Sequence, residues 1–161
     1  MKIVYLLKII LFMASGTLLM SACASPGDDS LVGARWVALQ DITFPPRSTT
    51  VFIQDGKVLE RSNQRDRFAP NCGVESTKGR NERLTIKKGS IFNILSVTYP
   101  TTAFDEVITI YETRMRVESI NHRNIRTIQC NERGNMAASH LSIETMQATM
   151  KGVFELENRI R

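Results

Sequence analysis

Beyond residue 35 the chain alternates apolar and polar side chains with a period of two, and only near its C-terminus does the period lengthen to that of a helix. Trp36 to Ile42 reads as a first strand, with Trp36 and Ala38 on one face, Val37 and Leu39 on the other, and Pro45-Pro46 as a stop. Val51 to Gln54, then Asp55-Gly56, then Lys57 to Leu59 is the strongest local signal. An Asp-Gly pair accepts the positive φ angles of a tight hairpin, so two adjacent antiparallel strands are predicted. Glu60 to Asn71 is polar, with Arg61, Arg65 and Arg67 set against Glu60 and Asp66, and reads as a loop. Short strands follow at Cys72 to Ser76 and Glu82 to Ile86; Lys87-Lys88-Gly89 then turns the chain into Ser90 to Tyr99, which Pro100 ends.

Val107 to Glu118 is the longest strand candidate. Thr109, Tyr111, Thr113, Met115 and Val117 form its apolar face, while Glu112, Arg114, Arg116 and Glu118 form its charged one. Such alternation suits an antiparallel sheet with one wet side, and Ile125 to Cys130 is expected to pair beside it. The period changes where Ile143, Met146, Met150 and Val153 fall on one helical face. Ser142 is placed to cap this helix, Leu141 to staple onto Met146, and Gly152 to end it in a left-handed conformation. Glu144 and Lys151 have the signs that the helix dipole favours. A helix over about 143–151 is predicted, packed on an open face or end of the sheet. Val153 to Leu156 alternates again and can form a last strand. The fold class is therefore mainly β (α+β): an antiparallel sandwich or open barrel with one short C-terminal helix.

The first 22 residues do not belong to that pattern. Lys2 and Lys8 precede or flank the apolar run Ile9 to Met20, and small Ser21 and Ala22 lead into Cys23. Leu19-Met20-Ser21-Ala22-Cys23 resembles a bacterial lipobox, in which the cysteine thiol receives a diacylglycerol. The expectation is a lipoprotein signal peptide over 1–22, a lipidated Cys23 with a flexible tether over 23–34, and one periplasmic domain over 35–161. Ala24, by resemblance to enterobacterial lipoproteins, implies the outer membrane. An uncleaved transmembrane anchor and ordinary secretion are the competing readings; for the anchor, Lys8 inside the apolar stretch would cost a few kcal/mol.

Compartment determines how the other cysteines are read. Once Cys23 is lipidated, Cys72 and Cys130 have a single intramolecular pairing available in an oxidising periplasm, so a Cys72–Cys130 disulfide is predicted. A redox pair or metal centre would need a C-x-x-C or a neighbouring ligand cluster, which the sequence lacks. Removal of Lys2 and Lys8 lowers the formal charge from +5 to +3, so strong polyanion binding is not demanded.

From Trp36 to about Leu156 the chain resembles a family of small, uncharacterised proteobacterial lipoproteins. The resemblance is carried by Val37-x-Leu39 with Ile42-x-Phe44-Pro45, by Val51-Phe52-Ile53-Gln54-x-Gly56, and by Pro70-x-Cys72-x-x-Glu75. Gly89 with Phe92, and Cys130 followed by His140-Leu141-Ser142 and a helix ending at Gly152, complete it. It implies a lipoprotein, a two-cysteine framework and a mostly β domain, and it implies no activity. Glu75, singled out by the pattern, is read first as a buried partner for an arginine and second as a binding carboxylate.

Catalytic signatures are absent from the sequence. His122 and His140 have no carboxylate, cysteine or second histidine at ligand spacing, and there is no G-x-S-x-G, S-x-x-K, H-E-x-x-H or glycine-rich phosphate loop. The chain is read as a non-enzyme without cofactor or metal, with no small-molecule substrate evident. The sharpest binding candidate is the basic stretch Lys78, Arg80, Arg83, Lys87 and Lys88, against the single acid Glu82, which could engage anionic lipid or glycan. Solvated lysines that discourage edge pairing are the simpler account of it. Nucleic acid is a poor partner, because no aromatic interleaving accompanies these charges. The resulting expectation is a periplasm-facing outer-membrane lipoprotein that acts as an interaction or structural module with an envelope protein, the alternative being a module for an anionic envelope component.

Overall fold

The computed structural model describes residues 31–77, 83–103, 109–134 and 140–158. These residues form a curled antiparallel half-barrel with a single C-terminal helix and one disulfide. The strands are β1 (Arg35–Ala38), β2 (Ile42–Thr43), β3 (Thr50–Gln54), β4 (Lys57–Leu59), β5 (Asn71–Ser76) and β6 (Thr85–Ile86). They continue with β7 (Ile91–Thr98), β8 (Thr101–Ala103), β9 (Thr109–Glu118), β10 (Ile125–Gly134) and β11 (Phe154–Glu157); the helix α1 is Ile143–Met150. The main sheet runs β11-β1-β7-β9-β10-β5-β3-β4, and β2 pairs only with β6. β8 continues the line of β7 along β9 once the chain has passed Pro100.

Strand β9 shows why the sheet has an inside. Thr109, Tyr111, Thr113, Met115 and Val117 are buried, whereas Arg114, Arg116 and Glu118 are exposed, so the alternation in the sequence is the alternation in the fold. Its neighbours obey the same rule with local corrections. In β7 a bulge between Ile94 and Ser96 leaves Leu95, 45% exposed, and Ser96 both facing outward and returns Val97 to the core side. Trp36, Phe92, Met115 and Ile128 fill the inner face. The indole N–H of fully buried Trp36 donates to the Met115 sulfur at 3.3 Å, which satisfies the one polar atom of that side chain.

Helix α1 closes the open side. It touches β11 near one edge of the sheet and β3 and β5 near the other, burying Met146, Thr149 and Met150 against the core. The capping pattern explains its limits: the Ser142 hydroxyl accepts the Thr145 N–H at 3.2 Å, and Gly152 takes φ 77° just beyond the end. The β3–β4 hairpin finishes the seal. Asp55 and Gly56 both have positive φ (50° and 71°), as a type I′ turn requires, and the Gly56 N–H donates to the Thr149 carbonyl at 3.0 Å. A Cβ on Gly56 would lie 2.5 Å from the Lys151 carbonyl oxygen, so only glycine fits.

Two expectations need correction. Trp36 to Ile42 is not one strand: after Ala38 the chain leaves the sheet, the Leu39 N–H turns to the Val153 carbonyl (2.9 Å), and Ile42–Thr43 pairs instead with Thr85–Ile86. The folded part also starts before residue 35. Leu31 and Ala34 are buried, and the Gly33 N–H donates to the Ile94 carbonyl at 3.0 Å, so these residues are core rather than tether. The turn after Thr43 holds a further local feature. Ser48 N–H bonds to the Pro45 carbonyl at 3.1 Å with Arg47 at φ 62°, a type II turn with arginine where glycine or asparagine is favoured.

Candidate functional site

The disulfide positions the site by the pleat of the sheet. Cys72 and Cys130 lie directly opposite each other on β5 and β10, both fully buried on the inner face. Their chain neighbours Asn71 and Asn131 therefore project to the outer face, in one row with Glu112 of β9. Two residues further along β10, Arg133 lies opposite Ile110. This row forms the floor of a small cleft.

The loop between β4 and β5 forms its wall. Gln54, on the outer face of β3 and 6% exposed, grips that loop through both ends of its amide. Its nitrogen donates to the carbonyls of Asp66 (2.9 Å), Ala69 (3.2 Å) and Pro70 (3.2 Å), and its oxygen accepts the Asp66 N–H at 2.9 Å. Asp66 in turn accepts the Phe68 N–H at 2.8 Å, which tightens the same turn. Held in this way, Arg65 lies over the Phe52 ring, 4.6 Å from its centroid, and reaches Asn71 Oδ1 at 3.4 Å.

Arg65, Arg67, Asn71, Glu112, Asn131 and Arg133 are among the residues around a cleft of about 250 Å3. Three of these residues are arginines. Burial, and then the like charges of Arg67 and Arg133, push the Arg65 guanidinium below its ordinary pKa. The buried Arg65 Nε has no hydrogen-bond acceptor. Glu112, the nearest acidic residue in the row, is engaged elsewhere: Arg114 Nη2 lies 2.7 Å from its Oε1, an ion pair by distance that is not aligned as a hydrogen bond. Arg133 covers the ring of Phe68 at 4.9 Å, and Phe68 itself is 68% exposed.

The residues singled out in the sequence are distributed differently. Cys23, Lys78 and Arg80 lie outside the described residues. Arg83, Lys87 and Lys88 are exposed, but Lys87 Nζ is tied to Asp41 at 2.7 Å and the Lys88 N–H donates to the same carboxylate at 2.9 Å. The Lys87 ammonium, helped by the Lys88 amide, holds the Asp41 carboxyl below the usual range. Glu75 does not pair with an arginine among the described residues; it stands half-buried between Thr50 and Thr127. The histidines have packing contacts. His122 stacks on Phe92 at 5.9 Å and its Nε2 lies 2.9 Å from the Ser90 hydroxyl, while His140 packs on Tyr99 at 5.3 Å. Ser90 already donates its single proton to the Lys87 carbonyl (2.6 Å), so neutral His122 carries its proton on Nε2 and donates it to Ser90.

Sequence reading missed the arginine cleft. Arg65-x-Arg67-Phe68 does carry a basic and aromatic alternation that could have drawn notice, but Arg133 joins it only through the register of β10. Among the described residues no group of histidine, cysteine, aspartate or glutamate side chains could hold a metal ion, and no helix is long and apolar enough to cross a membrane. The architecture is thus a disulfide-tied half-barrel plugged by a helix. No family model, curated protein or solved structure matches the chain.

Proposed function

We propose that this chain is a lipoprotein of the bacterial outer membrane, anchored through Cys23 and facing the periplasm, that works by binding rather than by catalysis. The lipobox-like run ending at Cys23 supports the anchor, and Ala24 supports the membrane. One observation carries the binding reading: the inner face is filled by Trp36, Phe92, Met115 and the helix residues Met146 and Met150, so recognition falls to the outer surface. The partner in the first instance is another envelope protein. Crosslinking in cells tests this, comparing wild type with a chain in which Cys23 is replaced and the signal exchanged for a cleavable one. One envelope protein captured stoichiometrically, and lost without the anchor, is the expected result; recovery of no specific protein contradicts it.

The second reading, binding of an anionic envelope component, is favoured by the gathering of Arg65, Arg67 and Arg133 around one cleft. It shifts the working residues from the 78–88 segment, where Lys87 is already paired, to Arg65, Arg67 and Arg133. Charge reversal at Lys87 and Lys88 is then expected to leave anion binding nearly unchanged, whereas reversal at Arg67 removes it together with its salt dependence.

A further inference from the structure

We infer that a groove along the free edge of β4 takes a short extended segment of a partner protein, one that sets a side-chain carboxylate beside a large apolar residue. This rests on the first reading and names the part of the envelope protein that docks. The groove is about 760 Å3, within the roughly 300–1,000 Å3 typical of ligand sites. Phe52 and Leu59, opposite each other on β3 and β4, line it together with Phe44, Pro45 and Pro46. β4 is an end strand of the sheet, paired only with β3 among the described residues. Its turn holds two residues, so Lys57 forms the hydrogen-bonded pair with Gln54, and the N–H and C=O of Val58 face away from β3. Val58 also lines the groove, so a chain lying there meets a rung of the ladder that β3 does not fill.

Charge selects the partner. Arg47 and Arg61 line the groove with the single acid Glu60, and none of the three has an ion pair among the described residues. The register puts both arginines at one end: Phe52 faces Leu59, so the residues before Thr50 and those after Leu59 lie at the same end of the hairpin, away from the Asp55-Gly56 turn. The backbone of Arg47 points the same way. Its φ is 62°, where glycine would make the turn without strain, yet glycine would take a guanidinium from the groove. The other large groove, about 870 Å3 beside β11, offers no such charge, because its arginine, Arg35, is bound to Glu157 at 2.7 Å. A free acyl carboxylate would satisfy the arginines and the apolar lining, but it has no backbone to offer the edge of β4.

The test selects binders from a library of random heptapeptides, acetylated and amidated at their ends so that only side-chain carboxylates are present, against the full chain in non-ionic detergent. Aspartate or glutamate within two residues of a large apolar residue is expected to be enriched. A selected peptide, titrated by fluorescence anisotropy, should bind at least tenfold more weakly when its acid is exchanged for the amide, and equally so when one central backbone nitrogen is methylated. Arg47→Gly should weaken it at least fivefold while the melting temperature stays level or rises, a separation that a merely structural arginine would not give. Arg61→Gln should act likewise, and Arg116→Gln, on the outer face of β9, should leave binding unchanged. No enrichment, enrichment without an acid, binding indifferent to both Arg47→Gly and Arg61→Gln, or tolerance of methylation at every position overturns the proposal; so does dodecanoate that binds as tightly as the peptide and competes with it. Crosslinking in cells keeps the two claims apart. An envelope protein still captured by the Arg47→Gly, Arg61→Gln double variant overturns the groove and leaves the first reading intact, whereas wild type that captures none contradicts the first reading whatever the peptides do.

Discussion

The two faces of the sheet at the disulfide are one residue apart and obey different rules. On the inner face Cys72 and Cys130 are covalently joined among fully buried apolar side chains. On the outer face Asn71 and Asn131 lie beneath a loop held by one glutamine amide, next to a guanidinium that burial and the like charges of Arg67 and Arg133 push below its ordinary pKa. The first arrangement is a staple that makes the fold rigid. The second leaves the buried Arg65 Nε without an acceptor and gathers three arginines around one cleft.

The largest effect should come from cutting the staple. Replacing both Cys72 and Cys130 by alanine reopens a loop with ends 58 residues apart and is expected to cost about 4 kcal/mol on the chain-entropy account, measured by urea unfolding. Anion binding by the surviving folded fraction should persist, because Gln54 holds the loop that carries Arg65 and Arg67, and the pairing of β10 with β9 places Arg133. Next in size is the loop clamp. Gln54→Glu puts a carboxylate against the Asp66, Ala69 and Pro70 carbonyls and is expected to destabilise by about 2–3 kcal/mol while abolishing anion binding. A variant that unfolds as wild type does and still binds would remove the loop from the account.

How much of this contrast could be read from the chain depends on how local its causes are. The inner face was legible because burial imposes a period: the odd positions of β9, the Asp55-Gly56 turn and the Ser142 cap all sit within a few residues of what they determine. The break after Ala38 was not legible, since Asp41 is drawn away by Lys87 and Lys88, far along the chain. Charge density misled in the same way. The densest basic run contains a lysine that tertiary structure neutralises, whereas the arginines that meet at the cleft come from a loop and from a strand 66 residues later than Arg67. Glu75 shows the converse, an acid that the pattern emphasised and that pairs with no arginine among the described residues.

Smaller effects sharpen the comparison. Thr113, opposite Cys130 on the inner face, buries a hydroxyl with no hydrogen-bond partner, so Thr113→Val should stabilise by about 1 kcal/mol in thermal unfolding without touching the outer face. His122 provides the mildest probe. Burial holds it below the ordinary histidine value of about 6.5, so the unfolded chain takes up its proton first. The stability it contributes is complete above that value and is lost as pH falls through the folded pKa. His122→Gln should flatten the fall in stability as pH drops below about 6.5, with anion binding unchanged.

The central claim is that the outer-face arginines are held ready for an oxyanion. Its most direct test is the melting temperature of wild type and Arg67→Gln in rising glycerophosphoglycerol at constant ionic strength, since a ligand that binds only the folded state raises stability by mass action. A rise that saturates in wild type and is much reduced in Arg67→Gln is the predicted result. Equal shifts in both proteins, or none in either, would contradict it.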